Sequence, residues 1–267
     1  MDEKKATIKR NETGLPGWAQ VIGKAICRLP LADKWHPWLR ADKTNMRWLP
    51  INTDLELPGD TPVPVDLVDC LIEEASHRVL VNPCGCRKAY HCKNYPVDIG
   101  CLMMGDSALE ISRYPFKEVG VEEAKEHARR AVDAGLVPVV GKARADNFIF
   151  GVKDRKRLLT VCFCCECCCV TRFTRLVPLK TIEPSFVKLD GISLEVTDRC
   201  EGCGACVKTC YIDAIRIEDG RAVIGPYCRA CGRCASQCKK NAIEIRIEDP
   251  EFLDKAHERI RSYVTYE

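Results

Sequence analysis

The sequence predicts an α+β chain of two joined parts: a cysteine-rich domain of helices and short strands, and a C-terminal module built on an internal repeat. Three observations predict it. First, Cys200, Cys203, Cys206 and Cys210 recur as Cys228, Cys231, Cys234 and Cys238, a shift of 28. Second, the same shift carries Ala214-Ile215 onto Ala242-Ile243 and Ile217 onto Ile245, so each half closes in a β-branched segment suited to strand pairing. Third, stretches of helical period upstream alternate with short apolar runs of strand length.

Taken in order, residues 1–64 form a tryptophan-rich arm and a proline-rich linker. Trp18, Val21, Ile22, Ala25, Ile26 and Leu29 fall at helical spacing, and Trp35, Trp38 and Trp48 follow in a Pro-broken stretch. This arm is expected to pack on the core or dock a partner; contact with a membrane interface is the third reading. Cys27 has no ligand-spaced neighbour and is expected to be a buried thiol. Residues 65–185 form the cysteine-rich domain. A helix is expected over 65–76, with Leu67, Val68, Leu71 and Ile72 on one face and Cys70 packed inside. Further expectations are a strand at 78–81, a helix starting over 106–111, a helix over 121–134 stopped by Gly135, and strands at 136–140 and 147–152. The repeat module spans 186–248, where 192–196 and 222–224 are the natural strand partners of the two Ile-rich segments. Residues 249–267 hold a final helix over 250–263, with Phe252, Ala256 and Ile260 packing back.

Twenty cysteines among 267 residues set the chemistry. The first twelve residues are charged and lack the apolar run of a secretory signal. No apolar stretch reaches the roughly 20 residues that span a bilayer. A disulfide scaffold would require export, so thiols at this density point to metal and to the reducing cytoplasm of an anaerobe. Contact with the inner face of the membrane through a partner is a further expectation. Net charge is +3 with both signs interspersed, so no nucleic-acid stripe stands out. No acid–base, nucleophilic or phosphate-loop constellation emerges around His36, His77, His127 or His257.

The tandem Cys-x2-Cys-x2-Cys-x3-Cys runs have the ligand spacing of two [4Fe–4S] clusters. Three closely spaced thiolates curl round one cubane. The fourth lies too far along to close the same loop, so it ligates the other cluster. Cluster I is therefore assigned to Cys200, Cys203, Cys206 and Cys238, and cluster II to Cys228, Cys231, Cys234 and Cys210. Paired zinc sites are the alternative, disfavoured by three cysteines in one run with a fourth at x3. Upstream stand Cys84, Cys86, Cys92 and Cys101, bent by Pro83, Gly85 and Pro96, and then the run Cys162, Cys164, Cys165, Cys167, Cys168 and Cys169. Gly85 would let backbone N–H groups approach a cluster, and Arg87 would offset its charge. Neighbours in an extended chain point to opposite sides, so the second run either feeds two centres or leaves some thiols free. One or two further iron–sulfur clusters are expected from these ten cysteines, with their partition open.

The order Pro83-Cys84-x-Cys86-Arg87, Cys92-x-x-Tyr95-Pro96, Cys101-Leu102, the helix ending Ala134-Gly135-Leu136-Val137, the cysteine run and the tandem repeat resembles the cysteine-rich 4Fe–4S dicluster ferredoxin-like proteins of anaerobic bacteria and archaea. The likeness covers about residues 65–247. It implies bacterial-ferredoxin-like halves related by a pseudo-two-fold axis, and electron transfer without a named substrate. Members commonly carry Gly where this chain has Glu166, and bacterial ferredoxins commonly carry Pro where Tyr211 and Lys239 stand. The expected function is a relay of single electrons through several clusters, as a carrier or as a non-catalytic subunit of an oxidoreductase complex in anaerobic metabolism. Expected partners are a flavoprotein, a hydrogenase-like donor or a terminal reductase. Two rivals stay open: a reductase subunit with a substrate-binding upstream cluster, and an iron–sulfur redox sensor. Neither Cys164-Cys165 nor Cys168-Cys169 is followed by Gly, which counts against a heterodisulfide-reductase type of cluster.

Overall fold

The computed structural model describes residues 25–26, 29, 44–51, 64–143, 145–183 and 185–267. Cys27, Trp18, Trp35 and Trp38, and most of the expected arm and linker, lie outside them. No helix among the described residues is long and apolar enough to cross a membrane.

Seven strands share one sheet: β1 (Asn45–Trp48), β2 (Arg78–Val81), β3 (Leu102–Met104), β4 (Phe116–Glu118), β5 (Val137–Lys142), β6 (Leu159–Cys164) and β7 (Phe186–Lys188). Their order is β4-β2-β3-β6-β5-β1-β7. Every pair is antiparallel except β1 with β7. Part of the expected arm thus lies inside the sheet, and Trp48 is fully buried there against Phe186. Close pairing of β1 with β5 depends on Gly141, whose φ of +142° suits glycine and whose added Cβ would stand 1.9 Å from the Asn45 carbonyl oxygen.

Period-2 alternation divides the sheet's side chains between two faces. Leu102, Met104, Val140, Leu159, Val161 and Phe163 join one core. The helices α1 (Pro64–Glu74), α3 (Val121–Asp133) and the C-terminal α8 (Phe252–Tyr263) cover it. Helix α1 contributes Leu67, Val68, Leu71 and Ile72, α3 contributes Ala124, Ala128 and Ala131, and α8 contributes Phe252, Ala256 and Ile260. Glu122 and Glu123 stand in the first turn of α3, where the helix dipole favours negative charge. On the opposite face, Val79, Val81 and Met103 pack with Ile111 and Phe150. Further along that face, Met46, Trp48, Val137 and Val139 meet Cys164, Cys169, Tyr211 and Ile212.

Three expectations fail. Residues 147–152 do not form a strand: Asp146–Phe150 is a short helix, α4, ended by Gly151 in the left-handed region. Asp146 is buried and accepts from the Thr160 hydroxyl (2.9 Å) and the Ala143 amide (3.2 Å), which fixes the first turn of that helix. Cys70 is exposed. On α1 it falls well off the stripe of Leu67, Val68, Leu71 and Ile72, which already fills the contact with the sheet. The segment 106–110 is a 3-10 turn rather than an α-helix.

The repeat module keeps the shift of 28 in its backbone. β8 (Ile192–Val196) pairs antiparallel with β11 (Ile243–Ile247), and β9 (Ile215–Glu218) with β10 (Arg221–Ile224). After α5 (Leu179–Ile182), the short helices α6 (Ala205–Thr209) and α7 (Arg233–Ser236) lie between these strands. Positive φ values recur in register at Gly202 and Ala230, Gly204 and Gly232, and Asp213 and Asn241. Small buried residues join the halves: Cys206, Ile215, Ala222, Cys234 and Ile243.

Candidate metal centres

In the repeat module each short helix starts one residue after a cysteine-flanked glycine turn, which brings three thiols of a run to one side. Cys200, Cys203, Cys206 and Cys238 line a single cavity with Gly202, Gly204, Ala222 and Ile243. Cys231 and Cys234 face Cys228 and Cys210, and Cys234 also faces Cys206 across the module. Backbone N–H groups point at sulfur in matching places: Ala214 to Cys210 (3.2 Å) and Ala242 to Cys238 (3.3 Å). Ala222 and Ala230 add contacts to Cys200 (3.3 Å) and Cys228 (3.4 Å). Such donors stabilise thiolates rather than thiols. Burial opposes them at Cys231, pushing its thiol up to about 12, so loading a metal there must release a proton.

Two buried side chains next to the second run have unmet polar atoms. Among the described residues, the Tyr211 hydroxyl and the Arg229 Nε and Nη2 atoms have no hydrogen-bond partner. Tyr211 is 2% exposed and faces Cys231, Cys164 and Cys169. Arg229 is 3% exposed and lies over the Trp48 ring, 5.7 Å from its centroid. Burial depresses the Arg229 guanidinium, partly offset by Tyr211, Cys228 and Glu183. A buried cation and an orphan hydroxyl need an acceptor of negative character. A thiolate-ligated cluster with exposed sulfides has that character, so these residues fit one.

Upstream, the sheet sorts the cysteine run. Cys162 and Cys164 alternate with Val161 and Phe163 along β6 and so fall on the face opposite the main core. There Cys162 meets Cys101 at 3.7 Å, and Cys164 meets Cys169 at 2.9 Å. Cys86 faces Cys169 and Cys101, and Cys84 faces Cys86 and Cys101. Cys86 lies in α2 (Gly85–Ala89), which Cys84 precedes. The turn at 166–168 then swings the chain to the other face, where Cys165, Cys167 and Cys168 converge with Cys92. Cys92 thus parts from Cys84, Cys86 and Cys101. Exposed His91 is not in the group.

Arg87 stands between the two sets. It is 1% exposed and donates to the carbonyls of Pro96 (2.8 Å), Phe163 (2.9 Å) and Ile99. Burial works against its charge, but the thiols of Cys84, Cys165 and Cys101 outweigh it and raise the guanidinium. Its hydrogen bond with Cys162, aided by Arg87, holds Cys101 below the usual thiol value despite its burial. Gly85 also makes room for an aromatic ring, since a Cβ there would stand 2.8 Å from Tyr114.

Cys165, Cys167 and Cys168 are also tied to the repeat module. Arg233, on α7 between Cys231 and Cys234, forms an ion pair with Glu166 at 2.6 Å, outside hydrogen-bond alignment. Its other terminal nitrogen donates to the Tyr95 hydroxyl, and its guanidinium lies 5.6 Å from the Tyr95 ring centroid. Both charges are largely buried, at 12% and 25% exposure. Nothing in the spacing of the sequence pairs residue 166 with residue 233. The glutamate in place of the resembled family's glycine was the available signal.

A family profile described as a 4Fe-4S binding domain (Fer4) matches residues 196–216, which contain the first cysteine run. With its cysteine content, this match marks the chain as an iron–sulfur protein of mixed helix and strand, with 4Fe–4S cofactors. No curated protein matches the chain.

Proposed function

We propose that the chain relays single electrons through [4Fe–4S] clusters, as a carrier or as the electron-transfer subunit of an anaerobic oxidoreductase complex. Cluster I is held by Cys200, Cys203, Cys206 and Cys238, and cluster II by Cys228, Cys231, Cys234 and Cys210. One further cluster takes its ligands from Cys84, Cys86, Cys101, Cys162, Cys164 and Cys169. A bound cubane supplies a delocalised one-electron couple. The protein sets its potential through charge, hydrogen bonds to sulfur and exposure. Here Arg229 and Tyr211 do so at cluster II, and Arg87 does so upstream.

The observation that carries this reading is the position of the second run. Tyr211 packs with Cys164 and Cys169 in a cluster that Cys231 also adjoins, which supports a cluster II standing between cluster I and the upstream thiols. Cys203 is exposed, which gives cluster I a surface at which a flavoprotein, a hydrogenase-like donor or a terminal reductase exchanges electrons. The resemblance to dicluster ferredoxin-like proteins supports the same reading and the cytoplasmic setting.

The test is iron and acid-labile sulfide per chain on protein purified without oxygen, followed by low-temperature EPR of the reduced protein. Roughly twelve of each, with mutually broadened signals, are expected. Roughly eight of each would reject the upstream cluster. Zinc filling the 200–238 sites would reject the relay altogether.

A further inference from the structure

We propose that Cys92, Cys165, Cys167 and Cys168 bind one tetrahedrally coordinated ion, zinc or iron, in a closed four-thiolate site rather than a cubane. Their sulfur atoms all lie within 4.8 Å of one another. Cys92 to Cys167 is 3.5 Å, Cys165 to Cys167 is 3.6 Å, and Cys167 to Cys168 is 3.5 Å. With metal–sulfur bonds of about 2.3 Å, a tetrahedral ion requires sulfur–sulfur edges of about 3.8 Å. A cubane carries its thiolates on four separate irons and holds them several ångströms further apart.

The same molecule supplies the control. Among the described residues no other three Cys, His, Asp or Glu donors gather this tightly. The eight cysteines of the 200–238 repeat, whose spacing suits cubanes, stay open. The thiols at 92 and 165–168 close instead on the volume of a single ion.

Local chain geometry explains the closure. Cys167 and Cys168 are adjacent, and only the turn at 166–168 places both on one side. That turn is clamped by Arg233 on Glu166 and by Arg172, which donates to the Cys167 carbonyl at 2.8 Å. Cys92 arrives from the opposite wall beside Tyr95. Four thiolates on a divalent ion leave a net charge of −2. Arg87, which lies near Cys165, and Arg172 supply positive charge round the site, while the charge of Arg233 is balanced by Glu166. Binding requires no electron: the ion replaces the four thiol protons.

This assignment deepens the metal-relay reading at one of its sites but is tested separately from it. Full-length protein and its Cys167→Ser and Cys92→Ser variants are purified without oxygen and analysed for zinc, iron and acid-labile sulfide. Wild-type protein is expected to hold one metal atom more than sulfide. Each variant should lose that one atom and leave sulfide unchanged. Iron in the site would show as a thiolate charge-transfer band in the difference spectrum. Zinc would be silent and exchangeable for cobalt(II), which shows tetrahedral bands. Loss of about four irons and four sulfides in either variant overturns the proposal, as does loss of no metal. Should a variant fail to fold, the wild-type ratio decides: equal metal and sulfide overturns it. Absence of labile sulfide beside one retained ion would reject the relay and leave this site standing.

Discussion

At the scale of single residues, the informative positions are buried polar groups without protein partners. Arg229 and Tyr211 are enclosed beside the second cysteine run, and each keeps an unmet donor there. Removing a nearby positive charge or a hydrogen bond to sulfur disfavours the reduced, more negative cluster. Arg229→Gln should therefore lower the midpoint potential of cluster II, and Tyr211→Phe should lower it by less, with iron content unchanged. EPR-monitored redox titration measures both, and unshifted potentials would rule out the assigned roles. Cys70, exposed on α1, makes the opposite case. Cys70→Ser should leave metal content intact and shift stability by no more than about 0.5 kcal/mol, as read by chemical denaturation.

At the scale of elements, two joints hold the scaffold that positions the thiols. One is the β1–β5 pair. Gly141→Ala would drive a Cβ into the Asn45 carbonyl, and denaturation should show a loss of about 2 kcal/mol or more. A loss within error would mean that β1 does not pair as described. The other joint is between α1 and the C-terminal segment, where Glu74 accepts from Tyr266 (2.7 Å), contacts His257 (2.7 Å) and pairs with Arg261 (3.2 Å). Burial works to raise the Glu74 carboxyl, but Tyr266, His257 and Arg261 outweigh it and hold it below its usual value. A depressed carboxyl contributes stability above its unfolded pKa, and that contribution is lost as pH falls through the folded one. Glu74→Gln should therefore cost about 0.5 kcal/mol at neutral pH, after allowance for solvent screening. The difference should vanish below about pH 4. Parallel stability curves for the two proteins across that range would contradict the linkage.

At the scale of the whole molecule, the two parts have unequal means of staying folded. The seven-stranded sheet has a continuous apolar core under three helices. The repeat module has two two-stranded ribbons and a core of Cys206, Ile215, Ala222, Cys234 and Ile243. A module of about 60 residues with so little apolar burial is expected to depend on bound metal for stability. Anaerobic removal of iron by a chelator should abolish hydrogen-exchange protection over 192–247 and leave it in β5 and β6. Retained protection in the module would show that metal is not its principal support.

Much of this architecture was legible in the sequence because it depends on local spacing. The tandem cysteine runs and the apolar stripes of α1, α3 and α8 are periodic features, and period alone assigns their type and inner face. The expectations for Cys70 and for residues 147–152 fail for separate reasons. The stripe on α1 was already complete without Cys70, and buried Asp146 fixed a helical turn over part of 147–152. Alternation along an extended chain also foretold that the run from Cys162 to Cys169 could serve two faces. Which thiol meets which was beyond that reasoning. Cys92 and Cys101 reach opposite sides of β6 only through the antiparallel register of β2, β3 and β6, and Arg233 finds Glu166 only when the repeat module docks. Such contacts join residues far apart in the chain, so no local pattern encodes them. The sequence by itself therefore determined that the chain gathers thiolates for iron and sulfur. Only the tertiary structure decided how the upstream thiols divide, because that division depends on long-range strand register and domain packing.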